Sequence, residues 1–130
     1  MRRERVLDNV AEQGAAITGR LRELQARYPF LGDVRGRGLM IGVEVVDPAT
    51  GAPDPDRAAR IQAGCLRRGL ILELGGRNDA VVRMLPPLNV EARVVQTALR
   101  IIEATLNSVA AAPPAPHADP VLQPAAGTAD

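Results

Sequence analysis

The spacing of apolar residues changes period several times along this chain, and each change marks the edge of an element. Up to Tyr28 the apolar side chains fall at Val6, Leu7, Val10, Ile17, Leu21, Leu24 and Tyr28, a stripe along one side of a helix. Gly14 lies on that stripe between Val10 and Ile17, where a missing side chain allows close packing. Pro29 and Gly32 break the pattern, so a helix is predicted over residues 1–28. LMIGVEVV (39–46) then alternates: Leu39, Ile41, Val43 and Val45 share one face, and Met40, Gly42, Glu44 and Val46 share the other. This predicts a strand, with VRGRG before it as a bend or a short preceding strand.

The turn-rich DPATGAPDP (47–55) leads into a second helix. Asp54 can cap it with Pro55 at its first position, Ala58, Ile61, Cys65 and Leu66 form its buried stripe, and Gly69 stops it. LILEL (70–74) and AVVRML (80–85) read as strands around a GGRND turn, and Pro86 and Pro87 end the pairing. Asn89 can cap a final helix with its stripe at Val94, Val95, Ala98, Leu99, Ile102, Leu106 and Val109. From Ala110 the composition turns to Ala and Pro, so residues 111–130 are expected to form a disordered tail. Hairpin-length connections between the strands predict an α+β domain over residues 1–110, a small, mainly antiparallel sheet covered by helices on one face.

Composition narrows the functions. The 130 residues suffice for one domain, and 16 basic against 15 acidic groups leave a formal net charge of +1. That balance, with Tyr28 and Phe30 as the sole aromatics, excludes a basic backbone-tracking surface and a base-stacking platform, so no nucleic-acid partner is expected. No apolar stretch approaches the roughly 20 residues that span a bilayer, and MRRERVLDNV has no secretory apolar segment. A single cysteine, Cys65, rules out an intramolecular disulfide and fits a cytoplasmic location. All sixteen basic residues are arginine. The chain therefore offers no Schiff-base lysine, no Walker-A lysine and no lysine general base.

Few motifs carry chemistry. RGRGLMIG supplies Gly36, Gly38 and Gly42, but Ile41 occupies the third position of a dinucleotide fingerprint, and the motif enters a strand instead of leaving one. Those glycines suit a tight bend and a close backbone approach. His117 stands alone in the tail and Cys65 lies on a helix stripe, so no metal site is expected. Arg83 sits within an apolar strand between Val81 and Leu85. Spacing leaves two readings of it: an exposed strand arginine, or a half-buried one whose planar fork takes a carboxylate in two-point contact. Arg77 reads as a solvated turn residue, and Glu91, Arg93, Arg100 and Glu103 as the outer side of the last helix.

Several adjacent motifs resemble one family together. VRGRGLMIGVE (34–44), CLRRGLIL (65–72) and RMLPPL (83–88) are similar, in this order, to the C-terminal small domain of class III pyridoxal-phosphate aminotransferases. GLILELGGRND followed by VVRMLPPL most resembles the diaminobutyrate–2-oxoglutarate group, and the likeness covers about residues 1–110. The resemblance implies fold type I, in which a large domain binds pyridoxal 5'-phosphate and a small antiparallel domain completes the enzyme. It implies amino-acid and 2-oxo-acid substrates, a homodimer when complete, and an arginine at Arg83 that binds the α-carboxylate of glutamate or 2-oxoglutarate. The family's cofactor lysine, pyridinium-binding aspartate and phosphate-binding residues belong to the large domain. The chain is thus expected to be a C-terminal piece, with no catalytic or cofactor-binding residue of its own and no activity alone. The competing expectation is a free-standing α+β binding or dimerisation module without chemistry, since no base, nucleophile or metal cluster is visible.

Overall fold

The computed structural model describes residues 3–112. Helix α1 (Arg3–Arg27) is followed by strands β1 (Leu31–Arg37) and β2 (Met40–Val45), then helix α2 (Pro55–Arg67). Strands β3 (Glu73–Gly75) and β4 (Val81–Met84) flank a short 3₁₀ turn at Arg77–Asp79, and helix α3 (Ala92–Ala111) closes the described chain. The four strands form one antiparallel sheet in the order β1-β2-β4-β3. Strand β4 inserts between β2 and β3, so the α2 crossover joins two strands that run parallel but are not neighbours.

The alternation over 39–46 holds residue by residue. Leu39, Ile41, Val43 and Val45 are buried and, with Val82 and Met84 of β4, face the helices. Against them pack Ile17, Leu21 and Leu24 of α1, Ala58, Ile61 and Cys65 of α2, and Val95, Leu99, Ile102 and Leu106 of α3. The opposite face, with Arg35, Met40 and Arg83, is open. The expected α+β architecture with helices on one face is the one observed. VRGRG is paired strand with a register shift between Leu31 and Val34, and Gly38 turns the hairpin with φ +61°.

Gly14 explains how α1 meets that hairpin. A Cβ on Gly14 would overlap the Gly38 carbonyl, and one on Gly38 would come within 2.9 Å of Val10 Cγ1. Val10 already sits at the hairpin tip, so the turns before it pass beyond the sheet: Leu7 is 59% exposed and Val6 half-buried.

Several expectations need correction; Val94, expected on the stripe of α3, is 47% exposed, as Leu7 is on α1. The strand expected over Leu70–Leu74 pairs only from Glu73, because the backbone before it serves α2. Leu70 N–H donates to the Cys65 carbonyl at 2.8 Å, and the Leu72 carbonyl accepts from Gln62 Nε2 at 2.9 Å. The second strand stops short of Ala80 and Leu85, and the Ala80 N–H closes the 3₁₀ turn onto the Arg77 carbonyl. Leu66 is 58% exposed, since α2 turns Gly64 and Cys65 inward, where a Cβ on Gly64 would reach Thr105 Cγ2 at 2.7 Å. Asn89 does not cap α3. The Pro86–Val90 segment makes its own turn, with Val90 N–H donating to the Pro87 carbonyl, and the helix begins after Glu91 without a side-chain cap. Asp54 does cap α2, its Oδ1 accepting from the Arg57 N–H at 3.0 Å. Most of the expected 111–130 tail lies outside the described residues.

Candidate functional site on the open face of the sheet

Antiparallel register decides which residues stand side by side on the open face. Arg35 pairs with Gly42, Gly42 with Arg83, and Arg83 with Glu73, so these four form one row across β1, β2, β4 and β3. Strands lie about 4.8 Å apart, which puts the Cα atoms of Arg35 and Arg83 about 10 Å apart on either side of Gly42. Arg37, paired with Met40, begins the next row. Between these residues runs an open groove of about 620 Å³, lined by Arg35, Arg37, Met40, Gly42, Val81 and Arg83, with Leu85 at its end.

The three arginines of the groove differ in what they hold. Arg35 Nε donates to Asp33 Oδ2 at 2.5 Å, and its Nη2 lies 3.8 Å from Glu44 Oε2. Neither Arg37 nor Arg83 takes part in an ion pair among the described residues. Arg83 is thus an exposed arginine without a carboxylate, and it shares the groove lining with the apolar Met40 and Leu85, which are 67% and 51% exposed. A cationic fork with apolar neighbours is suited to a small acid bearing a carbon chain.

Two glycines shape the bed in which Arg83 lies. A Cβ on Gly75 would overlap the guanidinium itself, lying 2.7 Å from Nε and nearer still to Cζ and Nη2. A Cβ on Gly42 would meet Val81 Cγ1 at 3.2 Å and Arg83 Cγ at 4.0 Å. The side chain therefore runs along the sheet surface and settles over Gly75. Arg83 is exposed and its guanidinium holds no carboxylate among the described residues.

The remaining sequence candidates do not join this groove. Cys65 is fully buried, its Sγ 3.5 Å from Thr105 Oγ1, and burial pushes its thiol up despite that partner. It is an inert core residue. Arg77 lies in the 3₁₀ turn, where Asn78 and Asp79 take φ of 58° and 56°. His117 falls outside the described residues. Among the described residues no three His, Cys, Asp or Glu side chains are grouped to hold a metal, and no helix is long and apolar enough to cross a membrane. Sequence reasoning missed Arg35, Arg37, Gly42 and Gly75 as neighbours of Arg83. Alternation does put Gly42 on the face opposite Ile41, but only the register shows that Arg83 stands beside it.

Comparison with known proteins converges on one family. The family described as aminotransferase class-III matches residues 1–106. A diaminobutyrate–2-oxoglutarate aminotransferase of Haemophilus influenzae is 46% identical over 97 residues, covering 69% of this chain and 21% of that protein. An alanine/serine racemase of Pyrococcus horikoshii is 45% identical over 100 residues, covering 77% of this chain and 21% of that protein. Among solved structures, a transaminase with L-alanine superposes with a TM-score of 0.71 at 33% identity, covering 83% of this chain and 25% of the other. A phospholyase from Arthrobacter in complex with phosphoethanolamine gives a TM-score of 0.77 at 27% identity, covering 81% and 25%. The chain spans about a fifth of the length of these curated relatives. With a family match over residues 1–106 and the same small antiparallel sheet under helices, this chain belongs to the class-III aminotransferases.

Proposed function

We propose that this chain is the small-domain part of a pyridoxal-phosphate-dependent aminotransferase that moves an ω-amino group, from 2,4-diaminobutyrate, to 2-oxoglutarate in the cytoplasm. The observation that carries the reading is the unpaired Arg83 side chain, which lines the open groove with Met40 and Leu85 while its guanidinium rests over Gly75 on the neighbouring strand. The likeness to diaminobutyrate–2-oxoglutarate aminotransferases from several organisms supports the choice of substrates.

The residues present do not fit the cofactor. The sequence has no lysine to condense with its aldehyde, and guanidinium groups are the only cations of the groove. Amino-group transfer is the chemistry that pyridoxal phosphate supplies when bound by a large domain, joined to this one in a homodimer. The contribution of this chain is recognition. Arginine stays protonated throughout, so Arg83 moves no proton. It binds the α-carboxylate of glutamate or 2-oxoglutarate by two parallel N–H···O bonds and so fixes the direction of the α-carbon.

Half-reaction kinetics test this in an enzyme that joins the segment to a class-III large domain. Arg83→Ala is expected to lower the specificity constant for glutamate and 2-oxoglutarate by about tenfold to hundredfold, the equivalent of about 1.5–3 kcal/mol for one charge-assisted contact. The diaminobutyrate half-reaction should lose less, because its carboxylate lies further from the transferred amine. Arg83→Lys should restore only part, keeping the charge and losing the fork. Equal loss in both half-reactions, or loss in neither, makes Arg83 a structural residue.

A further inference from the structure

Glu73 stands directly opposite Arg83 in the β3–β4 ladder, on the same open face. Directly opposed side chains have Cβ atoms about 4.5–5.5 Å apart, the natural distance for an ion pair. Yet no such pair forms: Glu73, like Arg83, is absent from the ion pairs among the described residues. The guanidinium leans along the diagonal instead, over Gly75. The backbone does not require glycine there, since Gly75 has no positive φ, unlike the neighbouring Gly76 with φ +67°. The three heavy atoms nearest to an added Cβ on Gly75 all belong to the Arg83 side chain.

We propose that Gly75 is a positioning residue: its bare α-carbon is the seat that draws the Arg83 fork away from Glu73 and keeps it free for a ligand carboxylate. The proposal rests on the carboxylate-binding reading of Arg83 for its consequence, although not for its geometry. A β-carbon at position 75 evicts the guanidinium without straining the strand, because what must yield is the far end of a flexible side chain. The evicted fork then has an internal partner in reach, the Glu73 carboxylate across the ladder. Arg83 keeps its charge in such a variant but spends it on Glu73, so an external acid must compete with an intramolecular one.

The geometry is tested on the full chain by following the Arg83 Nε–H resonance, assigned by its loss in Arg83→Ala. Gly75→Ala should shift that resonance, and adding Glu73→Gln should shift it again. In the parent, Glu73→Gln should leave it in place. A resonance that ignores Gly75→Ala, or a Gly75→Ala variant that ignores Glu73→Gln, overturns the proposal. The consequence is tested with glutarate, a dicarboxylate that carries no transferable group, in the enzyme joined to a large domain. Gly75→Ala should weaken glutarate binding about tenfold or more, and Glu73→Gln on that background should recover most of the loss. Recovery by Glu73→Gln separates eviction from simple damage to the strand. If the resonances couple as stated but glutarate ignores both Gly75→Ala and Arg83→Ala, the seat stands and the carboxylate-binding role of Arg83 falls.

Discussion

Gly14 and Gly19 sit on the same helix and differ only in what faces them. A Cβ on Gly14 would overlap the Gly38 carbonyl, a backbone group that cannot swing aside, whereas a Cβ on Gly19 would meet nothing within 4 Å. Gly14→Ala is therefore expected to destabilise the fold by about 1–3 kcal/mol through overpacking. Gly19→Ala should instead stabilise it by about 0.5–1 kcal/mol through helix propensity alone. Urea denaturation of the two variants beside the parent checks both signs, and equal effects would mean that α1 does not pack on the hairpin as described. The special place of Gly14 was legible in the sequence from its position on an apolar stripe. The roles of Gly42 and Gly75 were not, since each depends on a neighbour supplied by another strand.

At the scale of elements, α1 is tied to α3 by one carboxylate. Glu103 Oε1 accepts from Arg20 Nη2 at 2.5 Å and its Oε2 from Arg27 Nη1 at 2.8 Å. Hydrogen bonds from Arg27 and Arg20 hold the Glu103 carboxyl below the usual carboxylate range. A folded pKa below the unfolded one means that the stabilisation is complete above the unfolded value, about 4.3, and is lost as pH falls through the lowered folded value. The stability difference between the parent and Glu103→Gln should thus be level from about pH 6 to 8 and close below about pH 4. It should also shrink in high salt, as both partners are partly exposed. Urea titrations across that pH range read it out, and a gap that persists in acid would assign the effect to packing. Helix α2 offers a separate check. Asp54→Ala removes the acceptor of the Arg57 N–H and should cost about 0.5–2 kcal/mol, with Asp54→Asn recovering most of it. The Asp54 cap was readable because Asp-Pro before an apolar stripe is a local signal. The false cap at Asn89 arose because a polar residue before a stripe looks the same whether or not the intervening backbone turns on itself.

For the whole molecule, the absence of lysine sets a limit that no folding can change. Mixed with pyridoxal phosphate and borohydride, the 130-residue chain is expected to yield no adduct beyond that of its α-amine. Peptide mass mapping that places an adduct on an internal residue would contradict this. The segment also leaves Ile71, Leu85 and Val94 80%, 51% and 47% exposed around an apolar groove of about 260 Å³ between the β4 end and α3. What the sequence determined by itself was carried by nearest neighbours: the order of elements, the inward face of the 39–46 strand, the helix stripes from Ile17 to Leu24 and from Val95 to Val109, and the chemistry excluded by composition. Those follow from periodicity, since a side chain's direction repeats every 2 or 3.6 residues whatever lies around it. What only the tertiary structure decided was which strand stands beside which. Inserting β4 between β2 and β3 brought Gly42, from a distant segment, into one row with Arg83 and Glu73, which a short turn joins. Whether Arg83 is paired or free depends on that row, and hydrogen-bond register between strands is a property that no single segment carries.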